Sequence, residues 1–377
     1  MRRRRQLAPW HRKDLETSSL DPTEEGVAEA LAALEGKAAI YHCLSRVVDG
    51  NRVLKDEEKD MFVSLMRRYE AFSQVHVLTH CVMSNHFHIL VEVPAPPEDL
   101  GSSWSDERLL EHLELIYKPS EVAELRWELD RLRQLGNEEA AERLRARFFR
   151  RMWDLSEFMK IVKQCFTQWF NRKHGRRGVL WEDRFQSELV EEGHAARRVA
   201  AYIDLNPVRA GLVADPKDWR WSGYGEAVAG KAVARQGLQR VLFEEAATRM
   251  SEERAAREVA DESQVLRDYR MALFADGEEH PRDERKKRVG IARERVEKVL
   301  ASGGRLSEAD LLLCRTRYFI DGVVIGSERF VNHVFALMRE HFGPRRTTGA
   351  RRIRRVDSVL CTLRDLHKDA LGCGRAT

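Results

Sequence analysis

Two histidines one residue apart, His86 and His88, lie in the run Val82-Met83-Ser84-Asn85-His86-Phe87-His88-Ile89-Leu90-Val91-Glu92-Val93. In an extended strand, side chains alternate between the two faces. His86, His88, Leu90 and Glu92 then share one face, and Phe87, Ile89, Val91 and Val93 take the other. The apolar set can rest on a core while both imidazoles point the opposite way. Neutral imidazoles about 7 Å apart along a strand can converge on one divalent cation, and they need a third ligand from elsewhere. A half-buried edge strand whose polar face carries two histidines has the same pattern, so the run by itself fits both readings.

A second stretch, Ala201-Tyr202-Ile203-Asp204-Leu205-Asn206-Pro207-Val208-Arg209, supplies different chemistry. On a helix, Tyr202 and Asn206 are four apart and project from one face. Brought over the histidine strand, they would complete a set of one nucleophile, two nitrogen ligands and one oxygen ligand. A tyrosine hydroxyl has a pKa near 10, so a phosphodiester formed on it keeps a good leaving group and its formation stays reversible. The other tyrosines (Tyr41, Tyr69, Tyr117, Tyr224, Tyr269 and Tyr318) read as packing residues.

The elements that must position these groups follow from periodicity. Ala38 to Arg46 reads as a strand closed by the Asp49-Gly50-Asn51 turn. Asp56 to Phe72 is a helix with an apolar stripe at Met61, Leu65, Tyr69 and Phe72. Val75 to Val82 is a second strand, joined through the Ser84-Asn85 turn to the histidine strand. Pro94, Pro96 and Pro97 end the sheet there. Residues 98–152, rich in Glu, Arg and Leu, read as an inserted helical hairpin with i,i+4 pairs such as Glu139 with Arg143. Ser156 to Phe170 is an amphipathic helix, Arg184 to Val190 a strand, and His194 to Asn206 a helix stopped at Pro207. Strand, helix, strand, strand, helix, strand is the split βαβ order of ferredoxin-like folds. The expected class is α+β, with a catalytic unit at 38–97 and 153–225. A basic and helical extension (1–37) precedes it, and a mainly helical region (226–377) follows. In that last region helices are expected over Glu244–Met271 and Val289–Ala301, from Ser307 to Tyr318, and over Glu328–His341 capped by Ser327.

Charge is high in density and nearly balanced: 33% Asp, Glu, Lys and Arg with a net charge of +4. Nucleic-acid binding must therefore come from local clusters. Arg172, Lys173, Arg176 and Arg177 form one cluster beside Trp169 and Trp181. It reads as a track for single-stranded DNA with aromatic platforms, or as a solvated helix terminus. Arg345, Arg346, Arg351, Arg352, Arg354 and Arg355 form a second cluster without an acid, suited to DNA backbone contact. The helices around it fit a helix-turn-helix unit or an oligomerisation domain alike. Six scattered cysteines form no C-x-x-C pair, which signals neither zinc nor a disulfide framework and fits a cytoplasmic protein. The Arg2–Arg5 run is followed by polar residues rather than an apolar stretch, so export is not expected. No apolar run reaches membrane-spanning length.

Together, the His-hydrophobic-His pair, the run Gly178-Val179-Leu180-Trp181-Glu182-Asp183-Arg184-Phe185, and Tyr202-x-x-x-Asn206-Pro207-Val208 resemble the single-tyrosine HUH transposases, and within them the REP-associated tyrosine transposases. The resemblance covers about residues 38–225, without residues 98–152. It implies a metal-dependent enzyme, usually a homodimer, that cuts and rejoins single-stranded DNA beside hairpins. Carried onto this chain, it implies His86 and His88 as metal ligands, Tyr202 as nucleophile and Asn206 as third ligand. Arg184 would be structural or DNA-contacting, and Arg46 joins the DNA-contacting set. Phe166 and Trp169 stand where relatives often carry tyrosines, which leaves Tyr202 as the nucleophile. Mixed nitrogen and oxygen ligands with a phosphate substrate point to Mg²⁺ or Mn²⁺. Two rivals are a DNA-binding regulator of the same fold and a metal-dependent nuclease that uses water.

Overall fold

The computed structural model describes residues 8–11, 26–242, 262–274, 322–342, 346, 349–352 and 359–363. Its centre is four antiparallel strands: β1 (Ala39–Arg46), β2 (His76–Val82), β3 (His86–Val93) and β4 (Gln186–Val190). They lie side by side as β2-β3-β1-β4, the strand arrangement of a split βαβ fold. Helix α1 (Val27–Leu34) precedes the sheet, α2 (Asp56–Ser73) connects β1 to β2, and α7 (Leu155–Lys173) leads into β4.

Alternation along the strands divides the core in two. Tyr41, Cys43, Phe87, Ile89 and Val91 face α2 and α7, where Phe62, Met66, Phe158, Val162 and Phe166 meet them. Phe62 and Phe87 pack at a tilt with ring centroids 4.5 Å apart; each fully buried ring contributes roughly 2–3 kcal/mol. Ile40, Leu78, Cys81, Leu90 and Val190 face the other way, onto α8 (His194–Asp204) and α11 (Ala232–Leu242). Both faces of β3 are thus covered, and the histidines lie beneath a helix instead of on an open edge.

Three sequence expectations shift in detail. The stripe of α2 that faces inward is Phe62, Met66, Tyr69 and Phe72, while Met61 and Leu65 flank it half-buried. Helix α2 packs on both the sheet and α7, which widens and turns its buried face. Pro207 does not end the helical path. Leu205 keeps helical backbone, and α9 (Asn206–Arg209) starts with the proline in its first turn, where the missing N–H costs nothing. The C-terminal region is helix-rich but also adds strands. Of these, β5 (Val324–Gly326) runs parallel to β4, and β7 (Cys361–Thr362) and β6 (Arg351–Arg352) extend the sheet to seven strands.

The insertion forms α3 (Leu100–Ser103), α4 (Asp106–Leu113), α5 (Pro119–Gln134) and α6 (Glu138–Phe149). It docks on the end of α2, where His112 Nε2 donates to the Phe72 carbonyl at 2.8 Å and Arg68 Nε donates to Leu115 O at 2.7 Å. Arg133 joins α5 to Asp106 and Glu142, and the expected Glu139–Arg143 pair is present. Helix α10 (Gly223–Val228) and α12 (Glu262–Phe274) complete the second layer, and α13 (Glu328–Leu337) starts at Ser327, whose Oγ accepts from Phe330 N at 3.2 Å. The expected helices at 289–301 and 307–318 lie outside the described residues, as do residues 244–261 of the one expected from Glu244. No described helix is long and apolar enough to cross a membrane.

Candidate active site

The polar face of the sheet holds a line of buried ionisable groups. Glu188 on β4 sits directly opposite His42 on β1. His42 pairs in register with Leu90, so His88, two residues earlier on β3 and on the same face, lies diagonal to it. Glu188, His42 and His88 are only 3%, 2% and 3% exposed. Glu188 Oε2 lies 3.3 Å from His42 Nδ1, and His42 Nε2 lies 2.9 Å from His88 Nδ1. The two rings stack with centroids 5.1 Å apart. His86 follows along the strand, its ring 5.2 Å from that of His88 and nearly perpendicular to it.

Hydrogen bonding assigns the protons on these rings. An ionised carboxylate only accepts, so His42 Nδ1 donates to Glu188. With His42 neutral, its Nε2 accepts from His88 Nδ1, which leaves the lone pair of His88 on Nε2. At His86 the order is set by Asn85, whose Nδ2 donates to Gly50 O at 3.0 Å. The Asn85 Oδ1 therefore accepts from His86 Nδ1 at 2.7 Å, which leaves the lone pair of His86 on Nε2 too. Burial, then the charges of Arg46 and Arg209, push the His86 pKa down to about 4. Burial also holds His88 well below the usual histidine range, with His42, His86, Arg209 and Arg46 adding to it. Both imidazoles are thereby held toward the neutral form, the protonation state a metal ion requires.

Helix α8 lays Tyr202 over this row. Its ring centroid is 5.9 Å from His88 and 6.3 Å from His42, in edge-to-face contact. The Arg209 guanidinium covers the other part of the ring at 3.9 Å. Asp204 fixes the end of the helix. Its carboxylate accepts from Thr79 Oγ1 at 2.8 Å, Tyr269 OH at 2.5 Å and Tyr224 N at 3.2 Å. Close approach helps: a Cβ on Gly223 would fall 2.2 Å from Thr79 Oγ1, so only glycine lets α10 sit against β2 here.

The structure thus brings His86, His88 and Tyr202 together. Asn206 opens α9 and is half-buried. Arg46 is exposed and directly opposite His86 in register. Arg172, Arg176, Arg177 and Arg184 are exposed. Lys173 is engaged with Glu57 at 2.6 Å and Glu58 at 2.7 Å, beside Trp169. In the C-terminal cluster Arg346 turns inward, over Phe335 and Phe342 and onto the carbonyls of Gly349 and Leu363. Arg351 and Arg352 are exposed on β6, and Arg345, Arg354 and Arg355 lie outside the described residues. Among the described residues no three His, Cys, Asp or Glu side chains are grouped to hold a metal ion.

Sequence reasoning passed over His42, Glu188, Asp204 and Arg209. Alternation puts His42 on one face with Ile40 and Leu44, and Glu188 with Gln186 and Val190. Only the register between strands shows that these faces meet at His88.

No family model matches the chain, and no curated protein matches it. Among solved structures, the chain is similar to a REP-associated tyrosine transposase bound to a REP hairpin. The identity is 15% and the TM-score 0.31, over 52% of this chain and 85% of that one.

Proposed function

We propose that this chain is a transposase that cleaves and rejoins single-stranded DNA near hairpins, with Tyr202 as nucleophile and a divalent metal ion as cofactor. The observation that carries the proposal is the Tyr202 ring lying against His88, which neighbours a second imidazole, His86, with Nδ1 of each histidine engaged within the protein. In the reaction the Tyr202 oxygen attacks the scissile phosphorus as its hydroxyl proton leaves. The bond from phosphorus to the 3′ oxygen breaks, and that oxygen takes up a proton. The products are a 5′-phosphotyrosine and a free 3′-hydroxyl, which can reverse the step or be replaced by a hydroxyl from another strand. One phosphodiester replaces another, so no outside energy source is needed.

A bound Mg²⁺ or Mn²⁺, held by His86 and His88 with the Asn206 amide oxygen, would polarise a non-bridging phosphate oxygen. Arg46 and Arg209, whose charges reach both histidines, favour an anion at this face. The exposed Arg172, Arg176 and Arg177 loop would guide the strand. Homodimer assembly belongs to the same proposal.

The test is a denaturing gel of protein, Mn²⁺ and end-labelled hairpin oligonucleotides. A protein–DNA adduct that vanishes in Tyr202→Phe supports the proposal. Cleavage that survives Tyr202→Phe without an adduct indicates a nuclease using water, and hairpin binding without cleavage indicates a regulator.

A further inference from the structure

We propose that Glu188 and His42 form a positioning dyad that fixes the tautomer and orientation of His88, and so sets the affinity of the site for its cation. This rests on the metal-site reading of His86 and His88. Three ionisable side chains, one from each of β4, β1 and β3, meet at 3.3 Å and 2.9 Å in a layer where all three are at least 97% buried. Burying a carboxylate and imidazoles costs several kcal/mol, and well-packed apolar residues of similar size are commonly as stable or more so. Packing therefore gives no reason for Glu188 and His42 here, whereas orientation of a ligand does. With an ionised Glu188 and a neutral His42, the chain Glu188 to His42 to His88 leaves the His88 lone pair on Nε2. A carboxylate or carbonyl behind a metal-bound histidine acts in this way in general, and its loss typically lowers metal affinity by about 10–100-fold. Here the support passes through an intervening imidazole. Both Glu188 and His42 are positioning residues and touch neither cation nor DNA.

The test is Mn²⁺ affinity, read from the free-ion electron paramagnetic resonance signal in titrations of the full-length protein without DNA. The wild type is compared with His88→Ala, His42→Phe, Glu188→Gln and Glu188→Leu, with thermal unfolding of each as a check on folding. His42→Phe keeps the ring stack and removes the acceptor for His88 Nδ1, and is expected to weaken Mn²⁺ by about 10–100-fold. Glu188→Gln keeps a carbonyl oxygen for His42 and is expected to stay close to wild type, whereas Glu188→Leu loses it and should resemble His42→Phe. Should His42→Phe fail to fold, the Glu188→Gln and Glu188→Leu pair decides the matter alone. Folded variants that bind Mn²⁺ as tightly as wild type, while His88→Ala does not, would overturn the dyad and leave the metal site standing. Loss in His42→Phe as complete as in His88→Ala would make His42 a ligand and overturn its positioning role. If the wild type itself binds no Mn²⁺, the metal-site reading fails, and the dyad with it.

Discussion

Asp204 lies two residues beyond Tyr202, and its removal should loosen the helix that carries Tyr202. Its carboxylate is fully buried and takes hydrogen bonds from β2, α10 and α12 at 2.8, 3.2 and 2.5 Å. Asp204→Ala strands three donors. Each buried donor left unsatisfied costs about 1–3 kcal/mol. The Thr79 and Tyr269 hydroxyls both end on Oδ2, so they can partly satisfy one another, while the Tyr224 N–H has no such recourse. The expected loss is therefore below the simple sum, about 3–4 kcal/mol. Asp204→Asn keeps one acceptor oxygen for the two hydroxyls but turns an NH₂ toward Tyr224 N, and should cost about 1–2 kcal/mol. Urea unfolding, followed by far-ultraviolet circular dichroism, measures both. At urea concentrations where Asp204→Asn is fully native, adduct formation should fall while Mn²⁺ affinity stays near wild type, because the histidines sit on the sheet and Tyr202 on the helix. If Asp204→Ala lies within about 1 kcal/mol of wild type, Asp204 does not anchor the helix and its placement of Tyr202 must be abandoned.

A Cβ on Gly237 would fall 2.6 Å from Val77 O and 2.7 Å from Leu78 O, backbone atoms that cannot move aside. Gly237→Ala should therefore lift α11 from β2 and cost about 1–3 kcal/mol, and an unchanged unfolding midpoint would contradict that packing. His80 is fully buried, neither ring nitrogen has a hydrogen-bond partner among the described residues although Glu226 Oε2 lies 3.9 Å from Nε2, and burial, then Arg67, hold its pKa well below the usual value. Its folded pKa lies below its unfolded one, so its contribution is intact above about pH 6.5 and is lost as pH falls. His80→Leu should be less acid-sensitive than wild type in unfolding measured across that range; equal acid sensitivity would refute the assignment. The exposed arginines should dominate DNA affinity. Replacing Arg172, Arg176 and Arg177 with alanine should flatten the salt dependence of single-strand binding by about 2 log units per log unit of salt. Lys173→Ala, already neutralised by Glu57 and Glu58, should change the slope far less, and the reverse ranking would remove this loop from the DNA path.

Strand alternation and the Ser84-Asn85 turn made the β2–β3 hairpin legible, and with it the shared face of His86 and His88. The helix carrying Tyr202 was legible too, although Pro207, read as its stop, lies in the first turn of α9. What the sequence could not convey was register. Nothing local to His42 or Glu188 says that one lies opposite the other and diagonal to His88, since that depends on how three strands distant in the chain align. Asp204 reads as one more polar residue near a helix end until Thr79 and Tyr269 are seen around it. The strands β5, β6 and β7 are two or three residues long, too short for any periodicity, so their addition to the sheet was invisible. Arg346 counted as a free charge in its cluster, but packing with Phe335 and Phe342 makes it part of the fold.

The central claim is that Tyr202 becomes covalently joined to DNA. The most direct measurement is mass spectrometry of the tryptic peptide Val199–Arg209 after incubation with Mn²⁺ and a panel of hairpin oligonucleotides, followed by nuclease trimming. The account predicts a nucleotide 5′-phosphate on Tyr202, absent without Mn²⁺, in His88→Ala and in Tyr202→Phe. Cleaved DNA with an unmodified Val199–Arg209 peptide, or an adduct on another residue, would contradict it.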